Sequence, residues 1–157
     1  MLKVVLIQPE IPGNTGNVGR TCSAAGAELH LVKPLGFSLS ERHLKRAGLD
    51  YWERLAPVVH ESVDAFLKAL PSDADVLAFS AEGKLSHWEA PYRENSWLVF
   101  GGESFGLPPE LRALWKERLC RVPMVAGARS LNLSSAAAVV LYEALGPRSH
   151  ARIGRLP

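Results

Sequence analysis

A chain of 157 residues with 47% hydrophobic composition is long enough to bury a real core and short enough to read as one domain. Its formal charge of +2 is mildly basic, which permits a nucleic-acid partner without requiring one. The 2 cysteines lack CxxC spacing, the 5 histidines are scattered, and no apolar segment approaches the roughly 18 residues of a membrane span, so a disulfide scaffold, a metal site and a membrane protein are not expected.

Residues 2–7 form an apolar run broken only by Lys3, the pattern of a strand buried on both faces of a parallel sheet. Residues 9–20 follow, with Pro9, Pro12, Gly13, Gly16 and Gly19. They read as a loop in which Asn14 or Thr15 caps a helix running to about Ala25, stopped by Gly26. Residues 28–32 are a second strand, broken by Pro34, Leu35 and Gly36. Ser40 caps a further helix with Glu41 in its first turn, and residues 44–52 mix charge with adjacent Tyr51 and Trp52. Val58 and Val59 suggest a short strand. Residues 62–70 form an amphipathic helix with Val63, Phe66, Leu67 and Leu70 on one face, closed by Pro71. Residues 76–79 and 97–100 are the fourth and fifth strands, and Pro108 and Pro109 open a helix through Trp115.

Residues 121–125 then read as a strand end or buried edge, and residues 127–130 as a loop. The last helix is capped by Ser134 or Ser135 and carries no polar side chain from Ala136 to Leu141. Such a helix is covered by the rest of the fold or by a second subunit. Strands alternating with helices at this spacing predict an α/β domain with a mainly parallel sheet.

Loops at 9–20, 101–108 and 126–135 each follow a strand, and in an open α/β sheet such loops converge on one crevice. The first lacks the Lys-Ser/Thr pair of a phosphate loop, and its glycines do not give G-x-G-x-x-G. A phosphate-loop nucleotidase and a dinucleotide-linked dehydrogenase are therefore disfavoured. In the second loop, Gly101 and Gly102 let backbone approach a flat ligand, and Glu103 can accept from polar hydrogens. The alternative is a tight turn with Glu103 at the N-terminus of the helix that follows. The third loop brings Ser130, Asn132 and Ser134 to the mouth of the sheet. Basic residues gather at Arg42, His43, Lys45 and Arg46 and again at Arg148, His150, Arg152 and Arg155; a solvated surface run is the commoner explanation of either cluster.

Asn14, Thr15, Gly16 and Asn17 with Arg20, then residues 100–108, then Val122, Pro123 and Met124 with residues 130–134, resemble the three motifs of the SPOUT superfamily of trefoil-knotted RNA methyltransferases. The order is the family's, and the motifs span nearly the entire chain. Residues 9–12 and 46–51 look most like the branch that methylates the 2′-oxygen of the tRNA wobble ribose, cytidine or uridine 34. Gly102 stands where relatives often have proline, and Ala126 and Gly127 replace a more polar loop.

The resemblance implies one SPOUT domain over residues 1–157, an α/β knot with the segment after Arg121 threaded through a loop of the chain. It implies S-adenosylmethionine as cofactor, leaving as S-adenosylhomocysteine, bound by Phe79, Gly101, Glu103, Val122, Ser130 and Leu131. Arg20 and Asn132 would be the catalytic residues. Arg20 would stabilise negative charge developing on the ribose oxygen and hold the adjacent phosphate; Asn132 would fix the ribose or the cofactor. A tRNA substrate, a homodimer, a cytoplasmic location, and neither metal nor membrane complete the expectation. Methylation of another tRNA or rRNA nucleotide, or an RNA-binding protein of the same fold without transfer activity, are the alternatives.

Overall fold

Short apolar, β-branched runs set the strands, and a computed structural model of the chain describes residues 1–38 and 55–146. In chain order these hold β1 (Lys3–Ile7), α1 (Pro12–Ala25), β2 (Glu28–Val32), β3 (Val58–His60), α2 (Val63–Ala69), β4 (Val76–Phe79) and β5 (Leu85–Ser86). Then come β6 (Trp97–Phe100), α3 (Pro109–Leu114), a short 3₁₀ turn (Lys116–Arg118), β7 (Leu119–Arg121) and α4 (Leu133–Leu145). The strands form one sheet in the order β3-β2-β1-β6-β4-β7-β5, with every pairing parallel.

Both faces of this sheet are covered, which is why β1, β4 and β6 read as unbroken apolar runs. On one face Leu6, Leu29, Leu77 and Leu98 pack with Val18 and Cys22 of α1 and with Ala137, Val140 and Leu141 of α4. On the other, Val5, Ile7, Ala78 and Val99 pack with Phe66 of α2 and with Leu107, Leu111 and Trp115. At the base of the sheet the buried carboxylate of Asp75 accepts from the Ser96 hydroxyl and the Arg118 guanidinium, tying together the starts of β4, β6 and β7.

Several expectations change. Helix α1 starts at Pro12, not after Asn14 or Thr15, because the proline ring presets helical backbone at the first position. Asn14 and Thr15 are consequently inside the helix and buried, and Gly13, Gly16 and Gly19 are helical, not loop, residues. Helix α4 is capped by Asn132, whose side-chain oxygen takes the backbone N–H of Ser134 at 2.8 Å, so neither Ser134 nor Ser135 is the cap. The strand expected at 121–125 ends at its first residue, and Val125 is exposed. Of the apolar residues of α4, Ala137, Val140 and Leu141 are covered within the chain, while Val139 (43%) and Tyr142 (50%) face outward. The expected helix at Ser40, the stretch 44–52 and both basic clusters lie outside the described residues.

Candidate active site

Because β1, β4, β6 and β7 are parallel, the chain leaves Ile7, Phe79, Phe100 and Arg121 at one edge of the sheet. The loops that follow enclose a cavity of about 500 Å³. Small-molecule sites occupy roughly 300–1,000 Å³.

Two carboxylates cross between the first two loops. Glu103 accepts from the backbone N–H of Glu10 at 2.7 Å, from that of Ile11 at 3.2 Å, and from Asn14 Nδ2 at 2.9 Å. Helix α1 has no side-chain cap of its own and no acidic residue in its first turn, so Glu103 supplies the missing acceptors and the favourable negative charge. The tight-turn alternative put that charge at the next helix; it serves α1 instead. In return, Glu10 accepts from Ser104, through its backbone N–H at 2.9 Å and its hydroxyl at 2.6 Å. The Ser104 hydroxyl, followed by the Ser104 backbone N–H, holds the Glu10 carboxyl below the usual carboxylate range.

Asn14 carries the connection to the third loop, its Oδ1 accepting from Asn132 Nδ2 at 2.8 Å. The oxygen of Asn132 takes the N–H of Ser134 at 2.8 Å and the Ser134 hydroxyl at 2.7 Å. Glu103, Asn14 and Asn132 thus form one side-chain relay joining all three loops. Asn132 commits its oxygen and one amide hydrogen to that relay, which leaves a single hydrogen for a ligand.

The glycines of the second loop have a different cause from the one expected. A Cβ on Gly101 would lie 1.9 Å from the carbonyl carbon of Gly106 and 2.1 Å from the nitrogen of Leu107, and one on Gly102 would lie 2.5 Å from the carbonyl oxygen of Gln8. The chain's own crossings demand these glycines, independently of any ligand. Gly106, at φ +66°, closes the turn in the left-handed region.

Phe79 and Phe100 stack with ring centroids 5.0 Å apart and form one wall of the cavity. Phe79, Gly101, Glu103, Val122, Ser130, Leu131 and Asn132 all line it, so the expected residues are brought together. Arg20 is the exception. It is exposed on α1, outside the cavity lining and about 9 Å beyond Asn14 along the helix axis.

Sequence reasoning missed a fourth contribution, the loop after β4. Ser80, Ala81 and Glu82 line the cavity, and Arg112 of α3 donates to Glu82 across its edge. A Cβ on Gly83 would lie 2.2 Å from the carbonyl carbon of Cys120, so this loop rides directly on β7. Its position at the end of a strand was the available signal; a short polar turn concealed it.

Cys22 and Cys120 are free and buried, and burial pushes their thiols up to about 12 and about 11, so neither is a nucleophile at neutral pH. Among the described residues no cluster of His, Cys, Asp and Glu has the geometry to hold a metal ion, and no helix is long and apolar enough to cross a membrane.

A doubly covered parallel sheet with an aromatic-lined cavity at its carboxyl edge is the arrangement in which α/β proteins bind small ligands. Residues 1–142 match the model of the SpoU rRNA Methylase family, and the chain belongs to that family. It is similar to the tRNA (cytidine(34)-2'-O)-methyltransferase of Methylovorus glucosotrophus strain SIP3-4, with 49% identity over 145 residues, 92% of this chain and 94% of that protein. It is similar, at 51% identity and TM-score 0.89, to a solved structure described as giving structural insights into the 2-OH methylation of C/U34 on tRNA, covering 96% of this chain and 97% of that one. An AdoMet-bound rRNA methyltransferase from Sinorhizobium meliloti shares 29% identity at TM-score 0.74, over 92% of this chain and 55% of that one.

Proposed function

We propose that this protein transfers a methyl group from S-adenosylmethionine to the ribose 2′-oxygen of the tRNA wobble nucleotide, cytidine or uridine 34. The observation that carries the reading is likeness over 96% of this chain and 97% of the other, 51% identity at TM-score 0.89, to a structure concerned with that same modification.

The cavity fits the cofactor. Its lining combines the aromatic ring of Phe79 and the apolar Val122 and Leu131 with the polar groups of Gly101 and Ser130, a mixture that would hold a flat heteroaromatic ring with polar edges. When bound, the cofactor supplies a methyl group already activated by a positively charged sulfur. What the protein adds is position and charge. Glu103 clamps the first turn of α1 to the second loop, and the Asn14–Asn132 pair holds the third loop against both. Asn132 can offer its remaining amide hydrogen to the ribose or the cofactor. Arg20 acts from the RNA side, consistent with its place outside the cavity lining. Its guanidinium keeps its proton, so its role is to stabilise negative charge developing on the 2′-oxygen and to hold the adjacent phosphate.

The same reading makes residues 1–157 one domain with a C-terminal trefoil knot. In support, β7 lies between β4 and β5, with Ser80 N–H donating to the Cys120 carbonyl at 2.9 Å and His87 N–H to the Arg121 carbonyl at 2.8 Å. The segment after Arg121 would pass through the loop those bonds close. The reading includes a homodimer, supported by the outward-facing Val139 and Tyr142 of α4, and a cytoplasmic location, where free buried cysteines stay reduced.

Tritiated methyl transfer to total tRNA, followed by nuclease mapping, tests the function. Label in a 2′-O-methylated pyrimidine at position 34 is expected; label at another nucleotide, or in rRNA alone, overturns the assignment.

A further inference from the structure

Phe105 is 92% exposed, the highest value of any large apolar side chain among the described residues. Isolated surface apolar groups are ordinary, so exposure alone implies nothing. Two further features set this one apart.

The first is rigidity. Phe105 sits in a turn whose ends pair with each other, Gly106 N–H donating to the Gly102 carbonyl at 3.0 Å. The residues before it are pinned as well, Glu103 to the start of α1 and Ser104 to Glu10 through both its backbone and its hydroxyl. Such a turn presents the ring to solvent at little further entropic cost when something binds to it.

The second is place. Despite its exposure, Phe105 belongs to the lining of the cofactor cavity, so its ring stands at the cavity's mouth. Ile11 and Leu131, both also exposed, share that mouth. A nucleotide whose ribose reached this cavity would bring its base, or a neighbouring one, close to these side chains. The outward-facing residues of α4, Val139 and Tyr142, are not part of the cavity lining, so a second copy of the chain has its own apolar face to cover.

We propose that Phe105 is a stacking platform for a nucleobase of the RNA substrate, either the target base or its immediate neighbour. The inference rests on the methyltransferase reading above and adds a substrate contact to it. Stacking on an aromatic face is tolerant of base identity, which suits an enzyme that accepts cytidine and uridine alike.

The test compares Phe105→Ala, Phe105→Leu and Phe105→Trp with the wild type. A fluorescently labelled anticodon stem–loop is titrated in the presence of S-adenosylhomocysteine and read by anisotropy. Transfer kinetics, calorimetric cofactor affinity and sedimentation are measured alongside. Alanine and leucine should each weaken stem–loop binding by between about fivefold and a hundredfold, and tryptophan should restore it to within about twofold. Cofactor affinity should stay within about twofold, because the ring is 92% exposed at the rim of the cavity; sedimentation should not change, and the salt dependence of binding should keep its slope, because no phosphate contact is lost. Wild-type stem–loop affinity in the leucine or alanine variant overturns the proposal. So does parallel loss of cofactor, which would make the ring a wall of the cavity, or a variant that dissociates, which would mean a second copy covers the ring. Wild-type protein that methylates no RNA overturns the underlying reading; active wild type with indifferent variants overturns the stacking contact alone.

Discussion

Replacing Glu103 by glutamine keeps the side chain's size and removes its charge. The carboxylate receives donors from Glu10 N–H, Ile11 N–H and Asn14 Nδ2 at 2.7, 3.2 and 2.9 Å. Glutamine has one acceptor oxygen, so its amide nitrogen must face one of these donors and at least one bond is lost. A hydrogen bond to a charged group contributes about 1.5–3 kcal/mol, and a charge at a helix N-terminus about 0.3–1 kcal/mol more. Glu103 is only half-buried, so water recovers part of that, and a net loss of about 2 kcal/mol is expected. For a chain of this length that lowers Tm by about 4–8 °C. The latch also sets the spacing of two cavity walls, so cofactor affinity should fall roughly tenfold, equivalent to about 1.4 kcal/mol. Thermal unfolding and calorimetric titration with S-adenosylmethionine measure the two effects. Unchanged Tm would refute the latch, and if affinity alone were lost, Glu103 would be a ligand contact and nothing more.

Arg20→Ala should cut methyl transfer at least tenfold, on the order of 1.4 kcal/mol, while cofactor affinity stays within a few-fold; unchanged turnover at saturating tRNA would remove Arg20 from the chemistry. Val139→Glu, on the exposed side of α4, should give a folded but monomeric protein by sedimentation, whereas Val140→Glu should unfold it, because Val140 is fully buried. Stability should also fall with acidity. His30 is buried with its Nδ1 3.0 Å from His60 Nε2, and burial holds both rings below the usual histidine range, so the folded chain favours their neutral forms. Their contribution is present above the ordinary value of 6.5 and is lost as pH falls below it, so the denaturant midpoint should drop on acidification, and drop less in His30→Gln.

The parts of this molecule that could be read from the sequence are those where local pattern and tertiary role agree. β1, β4 and β6 are apolar on both faces because both faces are covered, and a continuous run says as much. The loops after β1, β6 and β7 could be expected to meet because parallel strands end together, and the Glu103–Asn14–Asn132 relay joins them. Other features depend on distant neighbours. β5 and β7 span only 2 and 3 residues and are strands by virtue of their pairing to each other and to β4. The acceptors at the start of α1 come from Glu103, far along the chain, so no local capping pattern could place that helix end. Gly101 looked like room for a ligand but is required by the return of its own loop at Gly106 and Leu107. Asn132 looked like a free functional amide but is mostly engaged in capping α4 and bracing Asn14.

The proposed acceptor is one oxygen atom on one nucleotide. A synthetic anticodon stem–loop, prepared once with ribose throughout and once with 2′-deoxyribose at position 34 alone, isolates it. The two should bind with similar affinity, since position 34 keeps its base and phosphate. Methyl transfer should proceed on the all-ribose form and yield 2′-O-methylcytidine or 2′-O-methyluridine by mass spectrometry of the nucleosides. It should be absent from the form with 2′-deoxyribose at position 34. Equal transfer to both would rule out that oxygen as the methyl acceptor.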